Sequence, residues 1–330
     1  MVITPPDDRL LADAARWQHD GYGLAIAVVI RTWGSSPRQP GSLMLIRDDG
    51  LLAGSVSGGC VEGAVKEAAS QSLLDGQSQR LDFGVTDETA WQIGLSCGGE
   101  VSVWICPYQA MEHGLLDVVS TRLSQHEAVH LRCDLTNGGG LSLVSVNDHD
   151  QHQANAIHPN GSSFHLSLMP MPRLYLIGAV HISQHLAPMA IAAGYQVTII
   201  DPRQDFASPK RFPDVEVIAS WPDEVLNQPL YPLHENSALV TLTHDPKIDD
   251  AALILALGAP VFYLAALGSR LTHSKRCERL RQAGYDDAAI SRVEGPAGLD
   301  IHASTTAEIA VSILASIIKT RRGGKTERSS

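Results

Sequence analysis

The chain has 330 residues, 44% of them apolar and 18% charged, which is enough for two globular domains with separate cores. Its 25 basic residues against 36 acidic ones give a formal charge of −11, and the one basic cluster lies in the terminal "KTRRGGKTERSS". That balance argues against nucleic acid as the main partner. The opening "MVITPPDDRLLADAARW" has no basic region followed by an apolar run, and "LAIAVVI" at 24–30 is too short to span a bilayer. A cytoplasmic chain with no membrane segment is therefore expected. The five cysteines lack the dense spacing of a disulfide framework, so they read as free thiols.

In chain order, "YGLAIAVVIRTWG" predicts a strand running into a loop, and "SLMLIRDDGLLAGSVSGG" a hairpin turning at "DDG". "VEGAVKEAASQSLLDG" predicts an amphipathic helix, with Val61, Val65, Ala68 and Ala69 at helical spacing and Gly76 as its stop. "EVSVWICPY" alternates like a strand. These elements form a mixed α/β domain with Gly-rich cysteine loops over residues 1–133. Residues 134–171 change character, with Gly, Asn and four histidines, and read as a hairpin and connector. His149, His152, His158 and His165 read as a solvated loop or as metal ligands.

From residue 172 the pattern becomes strand, tight turn, helix, strand, in "RLYLIGAVHISQHLAPMAIAAGYQVTIIDPR". Nearly continuous apolar strands follow at 215–219, 238–243 and 261–267, and "TAEIAVSILASIIKT" supplies a last helix. Strands alternating with helices predict a Rossmann-like, doubly wound parallel sheet over 172–322. Residues 323–330 read as a disordered tail.

Two Gly-rich stretches carry a cysteine each: "SVSGGCVEGAV" and "GLSCGGE". Cys60 follows Gly58 and Gly59 where a helix begins. The free N–H groups and partial positive charge of a helix start favour a thiolate, and glycines allow close approach of a ligand. Ser55 and Ser57 add hydroxyls. The plainer reading of Cys60 is a small buried residue at a tight turn. Cys97 precedes Gly98 and Gly99 and is equally consistent with a turn feeding the next strand. The separation of the two cysteines does not match a zinc ribbon. Cys106, Cys133 and Cys277 read as structural. In "GSSPRQPGS", prolines stiffen a loop in which Ser35, Ser36 and Arg38 offer donors to an anion.

In the second domain the βα turn is G-A-V-H-I-S. Gly178 stands where a dinucleotide fingerprint begins, but Val180 and Ser183 replace its second and third glycines, and Val180 would obstruct a pyrophosphate. Asp201 ends the next strand where a ribose-binding acid would sit. Arg203, His244, Asp245 and Arg270 fall at the carboxyl ends of strands, on the edge where such folds bind ligands.

Together, "GSSPRQPGSLML", "GSVSGGCVEGAV", "GLSCGGEVSVWI", "LIGAVHISQHLAPMA", "VTIIDPR", "LTHD", "ALGSR" and "GPAGLDIHASTTAEIAVSILASII" resemble the XdhC/CoxI family over nearly the whole chain. Its members are maturation factors for molybdenum-cofactor enzymes of the xanthine dehydrogenase type. The resemblance implies a homodimeric chaperone that binds molybdenum cofactor (molybdopterin), protects it, supports its sulfuration by a cysteine desulfurase, and hands it to an apo molybdoenzyme. Carried over by position, Cys60 and Cys97 would sit at the molybdenum or its dithiolene. Gly58, Gly59, Glu62, Gly98 and Gly99 would surround them, with Ser36 and Arg38 as a second anchor. A soft thiolate suits such a centre. Where the family's turn resembles G-A-G-H-V-G, this chain has Val180 and Ser183, which argues against NAD(P) in the second domain. Two alternatives come from other classes: an NAD(P)-dependent oxidoreductase using the βαβ unit and Asp201, and a thiol redox or sulfur-carrier protein pairing Cys60 with Cys97.

Overall fold

A computed structural model describes residues 7–34, 38–84, 99–144 and 155–323. The chain divides into two compact units, Met1–Pro170 and Met171–Ser330. The sequence-based division placed a break at 133 and set 134–171 apart. In the structure this segment supplies strands to a sheet of the first unit. The expected tail beyond 323 lies outside the described residues.

The first unit opens with helix α1 (Asp7–His19), then strands β1 (Leu24–Trp33), β2 (Leu43–Arg47) and β3 (Leu52–Gly54), helix α2 (Glu62–Asp75), and strands β4 (Gln79–Phe83) and β5 (Glu100–Pro107). The five strands form an antiparallel sheet in the order β3-β2-β1-β5-β4. Strand β1 is buried without a break from Leu24 to Ile30 because the sheet is covered on both faces. Leu24, Ile26, Val28 and Ile30 pack into a core with α1, and Ala25, Ala27 and Val29 into a second core with Val65 and Ala69 of α2. The hairpin falls where expected, with Met44 opposite Gly54. Helix α2 stops at Gly76, whose φ of 71° only glycine adopts freely.

Helix α3 (Leu115–Ser124) and strands β6 (Val129–Asp134), β7 (Leu141–Leu143), β8 (Ala156–Ile157) and β9 (Ser163–Leu168) complete the unit. These strands form an antiparallel sheet ordered β7-β6-β9-β8. Leu131, Cys133, Phe164 and Leu166 join the α1-side core, so residues from the expected connector help to build it. His165 is buried in β9 with its Nε2 3.3 Å from Nδ1 of His130, so it is a strand residue rather than part of a solvated loop. His149 and His152 lie outside the described residues.

The second unit contains β10 (Arg173–Ile177), α4 (His181–Ala192), β11 (Gln196–Ile200), β12 (Glu216–Ile218), α5 (Pro222–Leu226), β13 (Ser237–Thr241) and α6 (Pro246–Leu257). After them come β14 (Tyr263–Ala266), α7 (Arg270–Gln282), α8 (Asp287–Ile290), β15 (Val293–Glu294) and α9 (Thr306–Gly323). All neighbouring strands are parallel, in the order β12-β11-β10-β13-β14-β15. The order reverses between β10 and β13, the doubly wound arrangement expected from the sequence. One core lies on the face covered by α4 and α9, another on the face covered by α5, α6 and α7. No described helix is long and apolar enough to cross a membrane.

Candidate functional site

The cysteine loop leaves the five-stranded sheet at the end of β3. The register places Gly54 opposite Met44, Leu43 opposite Val28, and Glu100 opposite Trp33. One end of this sheet therefore carries three chain departures: the loop after Trp33, the loop after Gly54, and the entry into β5 at Glu100, just past buried Gly99. The Arg38 guanidinium ties the first loop to the second, its Nε donating to the Ser55 carbonyl at 3.0 Å.

The loop curls around the Glu62 carboxylate. Oε1 accepts from the Ser55 hydroxyl at 2.7 Å and from the N–H groups of Val56, Ser57 and Gly58 at 3.3, 3.0 and 3.1 Å. Oε2 accepts from the Ser57 hydroxyl at 2.6 Å and the Gly59 N–H at 2.9 Å. Burial works to raise this acid. The hydrogen bonds from Ser55, Ser57 and the backbone outweigh it and hold the carboxyl down at about 2. The Ser57 oxygen in turn accepts from the N–H groups of Cys60 and Val61 at 2.9 and 3.0 Å. Successive N–H groups can converge on one anion only because Gly58 and Gly59 take φ of 85° and 123°.

This geometry changes one sequence expectation. Glu62, assigned as a cofactor contact, holds the loop, since both its oxygens already accept from the loop's own donors. Those donors include the N–H groups of Ser57, Gly58 and Gly59. Cys60 itself is half-buried, two residues before the first residue of α2. Among the described residues, a Cβ added at Gly59 or Gly63 would meet nothing within 4 Å. The loop thus holds the Cys60 thiol on a tightly hydrogen-bonded turn. Cys97, Gly98, Ser35 and Ser36 lie outside the described residues. Cys106 and Cys133 are buried in β5 and β6, as a structural role requires, and burial pushes the Cys106 thiol up to about 11. Among the described residues no three His, Cys, Asp or Glu side chains form a metal-binding group.

The residues singled out in the second unit fall at two turns and at the start of α7. Gly178 (φ 117°) packs against β13's extension, where an added Cβ would stand 2.7 Å from Thr243 Cγ2. Asp201 is wholly buried, accepting from the Ala179 N–H at 2.8 Å, the Arg203 N–H at 3.0 Å, and Arg203 Nε and Nη2 at 2.8 and 2.7 Å. Burial works to raise Asp201, and its bonds to Arg203 and Ala179 leave it net lowered. The acid expected to meet a ribose is thus an internal clamp on the βα turn, and Arg203 is its partner, stacked 4.3 Å over the Phe206 ring. Val180 stands in extended backbone immediately before α4, in the position a dinucleotide fold reserves for a close-approach glycine. His244, with φ 63°, and Asp245 form the second turn, where Asp245 caps α6 by accepting from the Lys247 N–H at 2.9 Å. Arg270 is the exposed first residue of α7.

Sequence reasoning passed over two residues of this edge. Asp249 is buried and accepts from the Thr243 hydroxyl at 2.7 Å, and Arg276 is 1% exposed. A signal for Arg276 was present, since His273, Arg276, Cys277 and Leu280 fall on one helical stripe of α7.

Residues 17–84 match the XdhC and CoxI family, and residues 174–317 match the XdhC Rossmann domain. The chain belongs to the XdhC and CoxI family. Among its relatives, the molybdenum cofactor insertion chaperone PaoD of Escherichia coli is 28% identical over 97% of this chain and 90% of its own length. A probable xanthine dehydrogenase subunit of Bacillus subtilis is 27% identical over 90% of this chain and 93% of its own length. In fold, the chain is similar to the crystal structure of a xanthine dehydrogenase from Bacillus halodurans, with a TM-score of 0.79 over 98% of both chains at 24% identity. The residues that match the XdhC and CoxI family include the loop built on Glu62.

Proposed function

We propose that this chain is a molybdenum cofactor insertion chaperone for a molybdoenzyme of the xanthine dehydrogenase type. The observation that carries the reading is the Glu62-held loop, which holds the half-buried Cys60 at the end of the sheet where Arg38 is also anchored, with no described atom within 4 Å of a Cβ added at the neighbouring Gly59. The names of the PaoD and Bacillus subtilis relatives support the same cargo and client class. The cofactor is cargo here, a soft, oxidisable metal centre on an anionic pterin. Cys60 supplies a thiolate ligand of matching softness, and Cys97 is proposed as its second. The chain's own work is to bind, shield and release. Exchange of an oxo for a sulfido ligand falls to a cysteine desulfurase partner, and the working form is a homodimer in the cytoplasm. The tightly held loop favours this reading over a redox pair, because a rigid turn suits repeated docking of one ligand better than the movement of a thiol between partners.

The test is the molybdenum and pterin content of the protein purified anaerobically from a cofactor-producing host. Wild type should carry both, and a Cys60→Ser, Cys97→Ser variant neither. Equal cofactor in both proteins would remove the thiol assignment, and none in the wild type would remove the chaperone reading.

A further inference from the structure

Helix α7 is rich in charged residues, yet it buries an arginine. Its inner stripe turns Arg276 under the carboxyl end of β14, leaving 1% of the residue exposed. There Nη2 donates to the Leu267 carbonyl at 2.9 Å. Nε and Nη1 are buried with no hydrogen-bond partner among the described residues. An arginine does not relieve such a position by losing its proton, and an unpaired buried charge is costly.

The nearby acids do not complete the guanidinium. Asp249 attracts it through space, but its Oδ1 is held by the Thr243 hydroxyl and N–H. Asp250 is bound by two nitrogens of Arg279, at 2.5 and 3.0 Å. Arg276 instead lines a cavity of about 220 Å³ between the His244 turn and α7, together with Asp249, Thr272, Lys275 and Arg279. Of the cations that line it with the Asp249 carboxylate, Arg279 is held by Asp250, which leaves Lys275 and Arg276 to face the cleft. The cavity lies outside the carboxyl ends of β13 and β14, the edge where open α/β sheets take ligands. It is smaller than the roughly 300–1,000 Å³ of sites that enclose a drug-sized molecule. It therefore suits a compact group with several acceptor oxygens.

We propose that this cleft binds a single phosphate group, with Arg276 as the buried anchor and Lys275 as the exposed second cation. Phosphate matches the cleft because its oxygens can accept from a fixed guanidinium and an ammonium together. The cleft belongs to the second unit and the cysteine loop to the first, and the test needs no molybdenum cofactor, so its failure would leave the chaperone reading untouched.

The experiment is calorimetric titration of the full-length, cofactor-free protein with inorganic phosphate at constant ionic strength, chloride serving as the control. Wild type should show one saturable site in the millimolar range or tighter. Arg276→Met should weaken it about tenfold or more, as loss of a buried charged partner does. Lys275→Gln, an exposed change that leaves the fold alone, should weaken it about threefold, and Lys319→Gln on α9 should not change it. If Arg276→Met does not fold, Lys275→Gln decides. A parallel titration with glycerol phosphate separates the sources: tighter binding than inorganic phosphate assigns the terminal phosphate of a larger ligand, and weaker binding assigns free phosphate. No saturable binding by wild type, or wild-type affinity in Lys275→Gln and in a folded Arg276→Met, would overturn the proposal.

Discussion

The two glycine turns of this molecule use one device for opposite ends. At the cysteine loop the N–H groups of Ser57, Gly58 and Gly59 converge on Glu62, a carboxylate a few residues downstream. At the βα turn of the second unit, the Ala179 N–H meets Asp201, a carboxylate from the end of the next strand. In each case an acid fixes backbone that glycine alone would leave loose. The surroundings differ. Among the described residues a Cβ at Gly59 would meet nothing within 4 Å, whereas one at Gly178 would strike Thr243. The first turn is thus held by hydrogen bonds with no described atom above its glycine, and the second is held and filled. A glycine beside a carboxylate therefore does not by itself announce a ligand site, and the space above it decides.

The largest expected effect breaks the filled turn. In Gly178→Ala the new methyl would stand 2.7 Å from Thr243 Cγ2 at a φ of 117°. Thr243 cannot rotate away cheaply, because its hydroxyl donates to Asp249 at 2.7 Å and accepts from the Asp245 N–H at 3.0 Å. Strain and overpacking together should cost about 3 kcal/mol or more, read as a lower midpoint in urea. Adding Thr243→Ser removes the struck methyl and keeps the hydroxyl, so the double variant should recover part of the loss. A double variant no better than the single one would assign the cost to backbone strain alone.

This contrast marks what the sequence could and could not convey. The parallel sheet was legible because its strands are uninterrupted apolar runs, which only a doubly covered sheet requires. Helix α1 carries a helical stripe in Leu10, Leu11, Ala14 and Trp17, but its short, charged opening gives it a weaker signal than the apolar strands. The connector was misjudged for a related reason: Phe164 and Leu166 pair with β6 across more than thirty residues, a contact no local pattern encodes. Cys60 was legible as a marked position. The role of Glu62 was not, because its donors come together only after two positive-φ glycines fold the loop back. Spacing fixes the strand position of Asp201 but not which donors its side chain meets, and here those are the Arg203 guanidinium and the Ala179 N–H.

A smaller effect loosens the open turn. The folded Glu62 carboxyl is held at about 2 against an ordinary value of 4.5. A lowered acid contributes stability that is fully present above 4.5 and is lost as pH falls towards 2. Partial exposure screens the interaction, so the contribution is about 1–2 kcal/mol rather than the full value of the shift. Glu62→Gln should lower stability by that amount at neutral pH and flatten the acid limb between those two values. The glutamine amide would also turn a donor towards the Ser57 hydroxyl or the Gly59 N–H. An unchanged acid limb would show that another group dominates there.

Gly59→Ala should cost no more stability than Glu62→Gln, and it tests the comparison most directly. Its φ of 123° is unfavourable for alanine, at about 1–2 kcal/mol, but no described atom stands where the methyl would go. The Gly59 N–H can still reach Glu62, so the loop should persist, with stability lowered by no more than that strain. What changes is the surface beside Cys60, where a methyl would stand in the space left for a ligand. Cofactor content should therefore fall more than stability does, the reverse of Gly178→Ala, where stability should fall and the cysteine loop remain intact. A Gly59→Ala protein that retains full cofactor while unfolding as readily as Gly178→Ala would mean that the openness of the first turn serves the fold and not a ligand.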